Sequence, residues 1–299
     1  MTLCIAASCQ YKGHPAFVLC SDTRSLSGSR EWGLTISSEN ASKARFLDAF
    51  DALVAGNPSE ADVLLANCVP AVRKFSKLIA GDDSDLYTRD FQIELREAAQ
   101  ITLKKLQDHY IATHSPFKNG DDFLLRGKAS LPDPQYRDLW FEVKGLTLDC
   151  EVIIAGFHGD EAIIMKIDGK GKTEWKDEYC VIGSGSADAL SFLAQNDYDD
   201  TQIELEDCLL RLVEALDFAA TSNNTVGHYS RFEIHVHEEP EAFDVTDTYF
   251  KFLKSKIRLG KVRPMPKRND FLHIDGKPAT VSPVPETSDK QEPPKESTE

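Results

Sequence analysis

The sequence predicts an α+β fold of four layers, an αββα sandwich in which two antiparallel sheets lie between two layers of helices. The order of segments carries this reading: strands, two helices, strands, two helices, strands. The strand segments are short, rich in β-branched residues and alternating, whereas the segments between them repeat their apolar residues at helical spacing. A chain of 299 residues is also long enough to enclose a substantial core.

Strands are predicted at about 2–8, 16–21, 44–47 and 50–55. Asn57-Pro58-Ser59-Glu60 then reads as a helix start, with Asn57 as cap, Pro58 at the first helical position and Glu60 in the first turn. Val63, Leu64, Val69, Val72, Phe75 and Leu78 carry that helix to about Ile79, with a bend at Pro70. A second helix covers about 90–112, with Leu95, Ala99, Leu103, Leu106 and Tyr110 on one face. Residues 115–146, which hold Pro116, Gly120, Pro132 and Pro134, are predicted to be an irregular insertion: a rim loop, a subunit contact or a gate. Strands return at 148–157, 161–168 and 179–183, followed by helices at about 186–195 and 202–221 and a strand at 229–237. From Pro264 onward lie seven of the 14 prolines, with few large apolar residues after Ile274. Such a segment buries too little surface to offset its ordering entropy. The chain therefore divides into a folded domain over 1–263 and a disordered tail over 264–299, with no internal repeats.

Composition narrows the function classes. Hydrophobic residues make up 41% of the chain, and no apolar run approaches the ~18 residues of a membrane span. The N-terminus has no basic n-region and too short an apolar stretch for a signal peptide, so a cytoplasmic protein is expected. The formal charge of −15 argues against general affinity for nucleic acid or anionic membranes. Lys251, Lys254, Lys256, Arg258, Lys261, Arg263, Lys267 and Arg268 run the other way; they read as a solvated helix face or a contact with an acidic neighbouring subunit. Seven cysteines without C-x-x-C spacing argue against a disulfide framework and a zinc site; Cys4, Cys20, Cys68, Cys150, Cys180 and Cys208 sit in apolar runs and read as small buried hydrophobes. His235 and His237 share a strand face, but zinc needs about four ligands and no others are placed beside them. Gly183-Ser184-Gly185-Ser186 lacks the third glycine of a dinucleotide fingerprint and no phosphate-binding lysine follows it. No metal and no cofactor are expected.

The informative segment is the start. Thr2 stands directly behind Met1 and opens Thr2-Leu3-Cys4-Ile5-Ala6-Ala7; after a turn, Phe17-Val18-Leu19-Cys20-Ser21 leads into Asp22-Thr23-Arg24. Trimming of Met1 leaves a threonine with both a hydroxyl and a free α-amine, nucleophile and base on one residue. Lys43-Ala44-Arg45-Phe46-Leu47, Ala52-Leu53-Val54-Ala55-Gly56, Val152 to Phe157, Ala162 to Gly169 and Val181-Ile182-Gly183-Ser184-Gly185-Ser186 follow in order. Over roughly 1–80 and 147–237 the chain resembles the β-subunits of the proteasome and the peptidase of the bacterial two-component ATP-dependent protease, which are N-terminal-nucleophile (Ntn) hydrolases.

The resemblance implies an Ntn-type sandwich with Thr2 as nucleophile, Lys43 as the lysine that sets the electrostatics and Asp22 as the aspartate that holds it. It also implies the Gly56 N–H as oxyanion donor, Ser184 beside the threonine amine, and Ser222 in place of a serine at the end of the last long helix. Gly56 suits its role independently, because a helix N-terminus follows it. An S1-type pocket would be lined by side chains around 45–55. Two stretches, Gln10 to Ala16 and the segment between Asp22 and Lys43, are longer than the family usually has. The family's Asp-x-x-Ser-Gly-Gly motif falls on Ala219-Ala220-Thr221-Ser222-Asn223-Asn224, so its aspartate position is Ala219; Asp217 lies on another helix face. With no propeptide before Thr2, exposure of the amine would depend on methionine removal alone.

The first reading is thus a threonine-type peptidase or amidase acting on peptide or protein substrates as a homo-oligomer, a ring among the options. Since the chain has no nucleotide-binding motor, any unfoldase would be a separate ATPase. The alternative is a catalytically inactive proteasome-fold scaffold or interaction subunit. A third is a small-molecule amidase using Cys4 or Thr2; Cys4 is third after methionine removal and cannot carry the α-amine.

Overall fold

The apolar run that begins at Leu3 has no polar face because its strand is covered on both sides. The computed structural model describes residues 2–23, 25–27, 35–38, 43–78, 84–195, 203–223, 226–227, 230–237, 239, 241–259 and 271–273. Strands Leu3–Tyr11 (β1) and His14–Asp22 (β2) form a hairpin in which Tyr11 pairs with His14. Lys12 and Gly13 between them have φ of +54 and +81, the two left-handed residues that a tight hairpin turn requires. Leu3, Ile5, Ala7 and Cys9 of β1 pack toward helices, whereas Cys4 and Ala6 pack toward the second sheet.

The remaining strands are Ser25–Ser27 (β3), Thr35–Ser38 (β4), Ala44–Leu47 (β5), Phe50–Gly56 (β6), Cys150–His158 (β7), Glu161–Ile167 (β8), Thr173–Lys176 (β9), Tyr179–Gly183 (β10), Ser230–Val236 (β11), Phe243–Val245 (β12) and Phe271–His273 (β13). The helices are Pro58–Leu78 (α1), Ser84–His114 (α2), Gly120–Ser130 (α3), Asp133–Gly145 (α4), Ser186–Gln195 (α5), Leu205–Ser222 (α6) and Asp247–Leu259 (α7). One sheet has the order β10-β1-β2-β11-β12-β13 and the other β5-β6-β7-β8-β9, with every strand pairing antiparallel; among the described residues β3 and β4 form a two-stranded pair of their own. Three cores separate the four layers. The first lies under α5, α6 and α7, the second between the sheets, and the third under α1 and α2. The αββα sandwich expected from the segment order is the architecture observed.

The start of α1 is built as its residues dictate. The Asn57 side chain accepts the Ser59 N–H at 3.0 Å, and Pro58 opens the helix where its missing N–H costs nothing. Glu60 accepts the Asp149 N–H at 2.7 Å, which ties the helix start to the approach of β7.

The segment 115–146 departs from the expectation of irregular structure. It forms α3 and α4, which close a small core of Ile111, Phe117, Phe123, Leu139 and Val143 against α2. The prolines that suggested loops mark a helix entrance instead: Pro132 is the cap of α4 and Pro134 lies in its first turn. Asn119 caps α3 by accepting the Asp122 N–H at 2.9 Å. Beyond the last expected strand, Tyr249, Phe250 and Leu253 of α7 are buried against the first core, and Lys254 lies 3.6 Å from Asp217. Of the segment read as a tail, Phe271–His273 pairs with β12; residues 274–299 lie outside the described residues. Among those described, no helix is long and apolar enough to cross a membrane.

Candidate active site

Strand pairing brings Thr2 and Asp22 together, because the β1–β2 hairpin returns the chain to its own beginning. Cys4 pairs with Ser21, so Asp22 ends β2 beside the first residues of β1. Asp22 is fully buried, and a buried carboxylate must be satisfied by donors. Its Oδ1 accepts from Thr2 Oγ1 at 2.8 Å, from the Leu3 N–H at 2.7 Å and from Lys43 Nζ at 2.5 Å. Its Oδ2 accepts the Gly227 N–H at 3.0 Å. Lys43, just before β5 in the other sheet, has a side chain only 10% exposed, so its ammonium meets this carboxylate away from bulk water. The Gly227 contact could not be read from sequence, since a backbone amide in a loop carries no residue signature.

A second strand end closes the site from the side. Gly183 ends β10 opposite Leu3 with φ of +97, and a Cβ placed on it would stand 2.2 Å from the Thr2 carbonyl oxygen. Only glycine permits that approach. Ser184 then donates its hydroxyl to the Thr2 carbonyl at 3.3 Å.

Gly56 ends β6 immediately before α1. Its φ is +99, and a Cβ there would lie 2.2 Å from the Asp149 carbonyl oxygen. Cys4 Sγ lies 3.5 Å from the Val54 carbonyl, which sets the start of β1 alongside the end of β6. Cys4 itself is fully buried, and burial pushes its thiol up to about 12, the opposite of what a nucleophilic cysteine requires.

Ser222 is exposed on the last turn of α6, and its neighbour Asn223 donates to the Ser184 carbonyl at 3.0 Å. Ala219 is fully buried in the core under α6, and Asp217 is directed at Lys254. The structure therefore brings Thr2, Asp22, Lys43 and Ser184 together and sets Gly56 at the neighbouring strand end, while Ser222 is exposed beside Asn223, which reaches the Ser184 turn.

The opposite end of the same strands carries a second polar cluster. His235 on β11 pairs with Phe17 and stacks on its ring at 4.5 Å, with Nδ1 3.5 Å from Asp51 of β6. Burial pulls His235 down from 6.5 to about 4, and burial together with Glu233 pushes Asp51 up from 3.8 to about 7. Between pH 4 and 6.5 the unfolded chain takes up a histidine proton that the folded chain refuses, so His235 lowers stability as pH falls. Over pH 4 to 7 the folded chain keeps an Asp51 proton that the unfolded chain releases, so Asp51 lowers stability as pH rises; Glu233, also raised by burial, acts in the same direction. The two slopes offset each other. In thermal unfolding from pH 4 to 7, Asp51→Asn is expected to raise Tm with pH more steeply than wild type, and His235→Phe to lower it. Identical slopes in all three proteins would refute this account. Among the described residues no group of three or more His, Cys, Asp or Glu is placed to hold a metal ion.

The layers and the strand order are those of the Ntn-type αββα sandwich fold. Among solved structures the chain is similar to the Anbu (Gly-1) mutant from Hyphomicrobium sp. strain MC1, with TM-score 0.52, 13% identity, and 87% of this chain and 96% of that one covered. It is also similar to the eukaryotic HslV from Trypanosoma brucei, with TM-score 0.46, 17% identity, and 79% of this chain and 100% of that one covered. No family model matches the sequence, and no curated protein does.

Proposed function

We propose that this protein is a threonine-type peptidase or amidase whose nucleophile is Thr2, exposed by removal of Met1. The observation that carries the reading is the buried chain from the Thr2 hydroxyl to the Asp22 carboxylate to the Lys43 ammonium, at 2.8 and 2.5 Å. The threonine's own amine, acting through a water, would take the hydroxyl proton as Oγ1 attacks the substrate carbonyl. The Lys43 charge, held by Asp22, favours the developing alkoxide. The Gly56 N–H, at the start of α1, would stabilise the tetrahedral oxyanion, and Ser184 would steady the threonine main chain. Collapse of that intermediate expels the amine and leaves an ester on Thr2, which water then hydrolyses. Ser222 takes no part in this scheme.

Peptides and unfolded proteins are the proposed substrates, with a homo-oligomeric enzyme in the cytoplasm. The fold by itself does not select among amide substrates; an unfoldase, if one is used, would be a separate ATPase. A second reading, an inactive scaffold subunit, is favoured by one observation: the end of α6 presents buried Ala219 and exposed Ser222 where a second carboxylate and its serine would stand.

Intact mass before and after treatment with a peptide epoxyketone separates the two. The hydrolase reading expects loss of Met1 and a single adduct, absent in Thr2→Ala. Retained Met1 with no adduct would overturn it in favour of the scaffold.

A further inference from the structure

Glu151, the second residue of β7, is the one charged residue in the row Glu151, Ile153, Ala155, whose other members lie in the core between the sheets. It pairs in register with Ala55, the neighbour of Gly56. One carboxylate oxygen, Oε2, accepts the Gly183 N–H at 3.0 Å, and the other, Oε1, lies 2.8 Å from Lys166 Nζ on β8. Gly183 belongs to the opposite sheet. It is also the residue whose backbone abuts the Thr2 carbonyl so closely that a Cβ cannot be accommodated, and it leads into Ser184, which bonds that carbonyl.

A residue placed this way does something that ordinary core packing does not. Gly183 approaches Thr2 through its backbone, and that approach is set by where the strand end is held, by its pairing with Leu3 and by its bond to Glu151. Dispersion contacts in the inter-sheet core set the spacing of the sheets but leave a strand end free to fray. A directional hydrogen bond from a charged acceptor fixes it, at roughly twice the strength of a neutral bond. Lys166 neutralises the carboxylate and anchors it to β8, so that it does not turn toward solvent.

We infer that Glu151 is a positioning residue: a carboxylate of one sheet that holds the Gly183–Ser184 turn of the other against Thr2, with Lys166 as its support. The assignment rests on the reading of Thr2 as nucleophile only for its effect on rate; the effect on the turn stands apart from it. Glu151 bonds the Gly183 amide and Lys166 rather than Thr2, so its effect on the reaction runs through Gly183.

The test compares Glu151→Ala, Glu151→Gln and Lys166→Met with wild type in two measurements on the full chain. The first is the rate of adduct formation with a peptide epoxyketone, resolved into inhibitor affinity and maximal rate. The second is hydrogen exchange at the Gly183 amide, followed by mass spectrometry with electron-transfer fragmentation. Glu151→Ala is expected to lower the maximal rate by up to about 100-fold, the effect of a displacement near 1 Å at a reacting centre, with affinity little changed. It should also speed Gly183 exchange by about tenfold, as loss of one hydrogen bond implies. Glu151→Gln keeps an acceptor for the Gly183 N–H and should restore both quantities to within a few-fold of wild type. Lys166→Met should fall between. Unchanged Gly183 exchange in Glu151→Ala overturns the inference, as does an equal loss in Glu151→Gln, since a merely space-filling or charge role would produce those patterns. Should wild type form no adduct while exchange at Gly183 still follows the expected order, the hydrolase reading fails and the strut remains. Normal labelling of wild type and Glu151→Ala alike, with Gly183 exchange unchanged, has the reverse meaning.

Discussion

Replacing Asp22 with alanine is expected to cost about 3–5 kcal/mol of stability, the typical penalty for orphaning one partner of a buried ion pair, and to abolish labelling of Thr2. Four donors converge on this carboxylate: the Thr2 hydroxyl, the Leu3 and Gly227 amides and the Lys43 ammonium. Alanine leaves all four facing a cavity in which Lys43 stays largely shielded from water. Asp22→Asn divides the effect. It retains one acceptor oxygen for Thr2, Leu3 and Lys43 but sets an amide NH₂ against the Gly227 N–H. The expected loss is about 1–3 kcal/mol, the cost of a buried donor without an acceptor, and the rate of adduct formation should fall by about 10²–10⁴-fold, the range typical of proton-transfer machinery. Urea unfolding gives the first quantity and intact mass against time the second. Wild-type labelling in Asp22→Asn would remove this carboxylate from the chemistry while leaving its structural role intact.

Gly183→Ala carries the other large effect. Alanine at φ +97 lies in a region that L-residues rarely adopt, and its Cβ would stand 2.2 Å from the Thr2 carbonyl oxygen and 3.1 Å from Thr2 Cγ2. Neither neighbour is the free end of a flexible side chain, so Thr2 or the β10 end must move. Gly13 supplies the control: its φ is +81, yet nothing lies within 4 Å of a Cβ built there. Gly13→Ala should pay only the backbone term, about 1–2 kcal/mol. Gly183→Ala should lose distinctly more stability and, in addition, labelling of Thr2. Equal losses in thermal unfolding of the two variants, with labelling retained in both, would show that the close approach of Gly183 is of no consequence.

How much of this was legible in the sequence follows from where each signal resides. Asn57 and Pro58 could be read as the start of α1 because capping is local: the groups that satisfy one another lie within a few residues. Alternation and β-branching gave β1, β2, β5, β6, β7, β8, β10 and β11 for the same reason. Pro132 and Pro134 misled because proline marks both loops and helix entrances, and only the packing of Leu139 and Val143 against α2 decides between them. The buried face of α7 was missed because a basic stretch, read as a solvated helix face or a subunit contact, masked Tyr249, Phe250 and Leu253, whose burial needs a neighbouring helix to be seen.

The site shows the same division. Its residue types were readable: a threonine behind the initiator, an aspartate at the end of the returning strand, a lysine before the next hairpin, and glycines at strand ends. Those choices are dictated by chemistry that one side chain, or one backbone angle, carries by itself. What the sequence alone determined is therefore the layered α+β fold and a short list of candidates at its strand ends. The tertiary structure decided which of them meet. It gave Asp22 the Gly227 amide as a fourth donor, turned Ser222 outward while Asn223 reached the Ser184 turn, and set Glu151 of one sheet against Gly183 of the other. These contacts join residues 32 to 205 positions apart. Their geometry is fixed by how two sheets stack, a property of the whole core that no local pattern encodes.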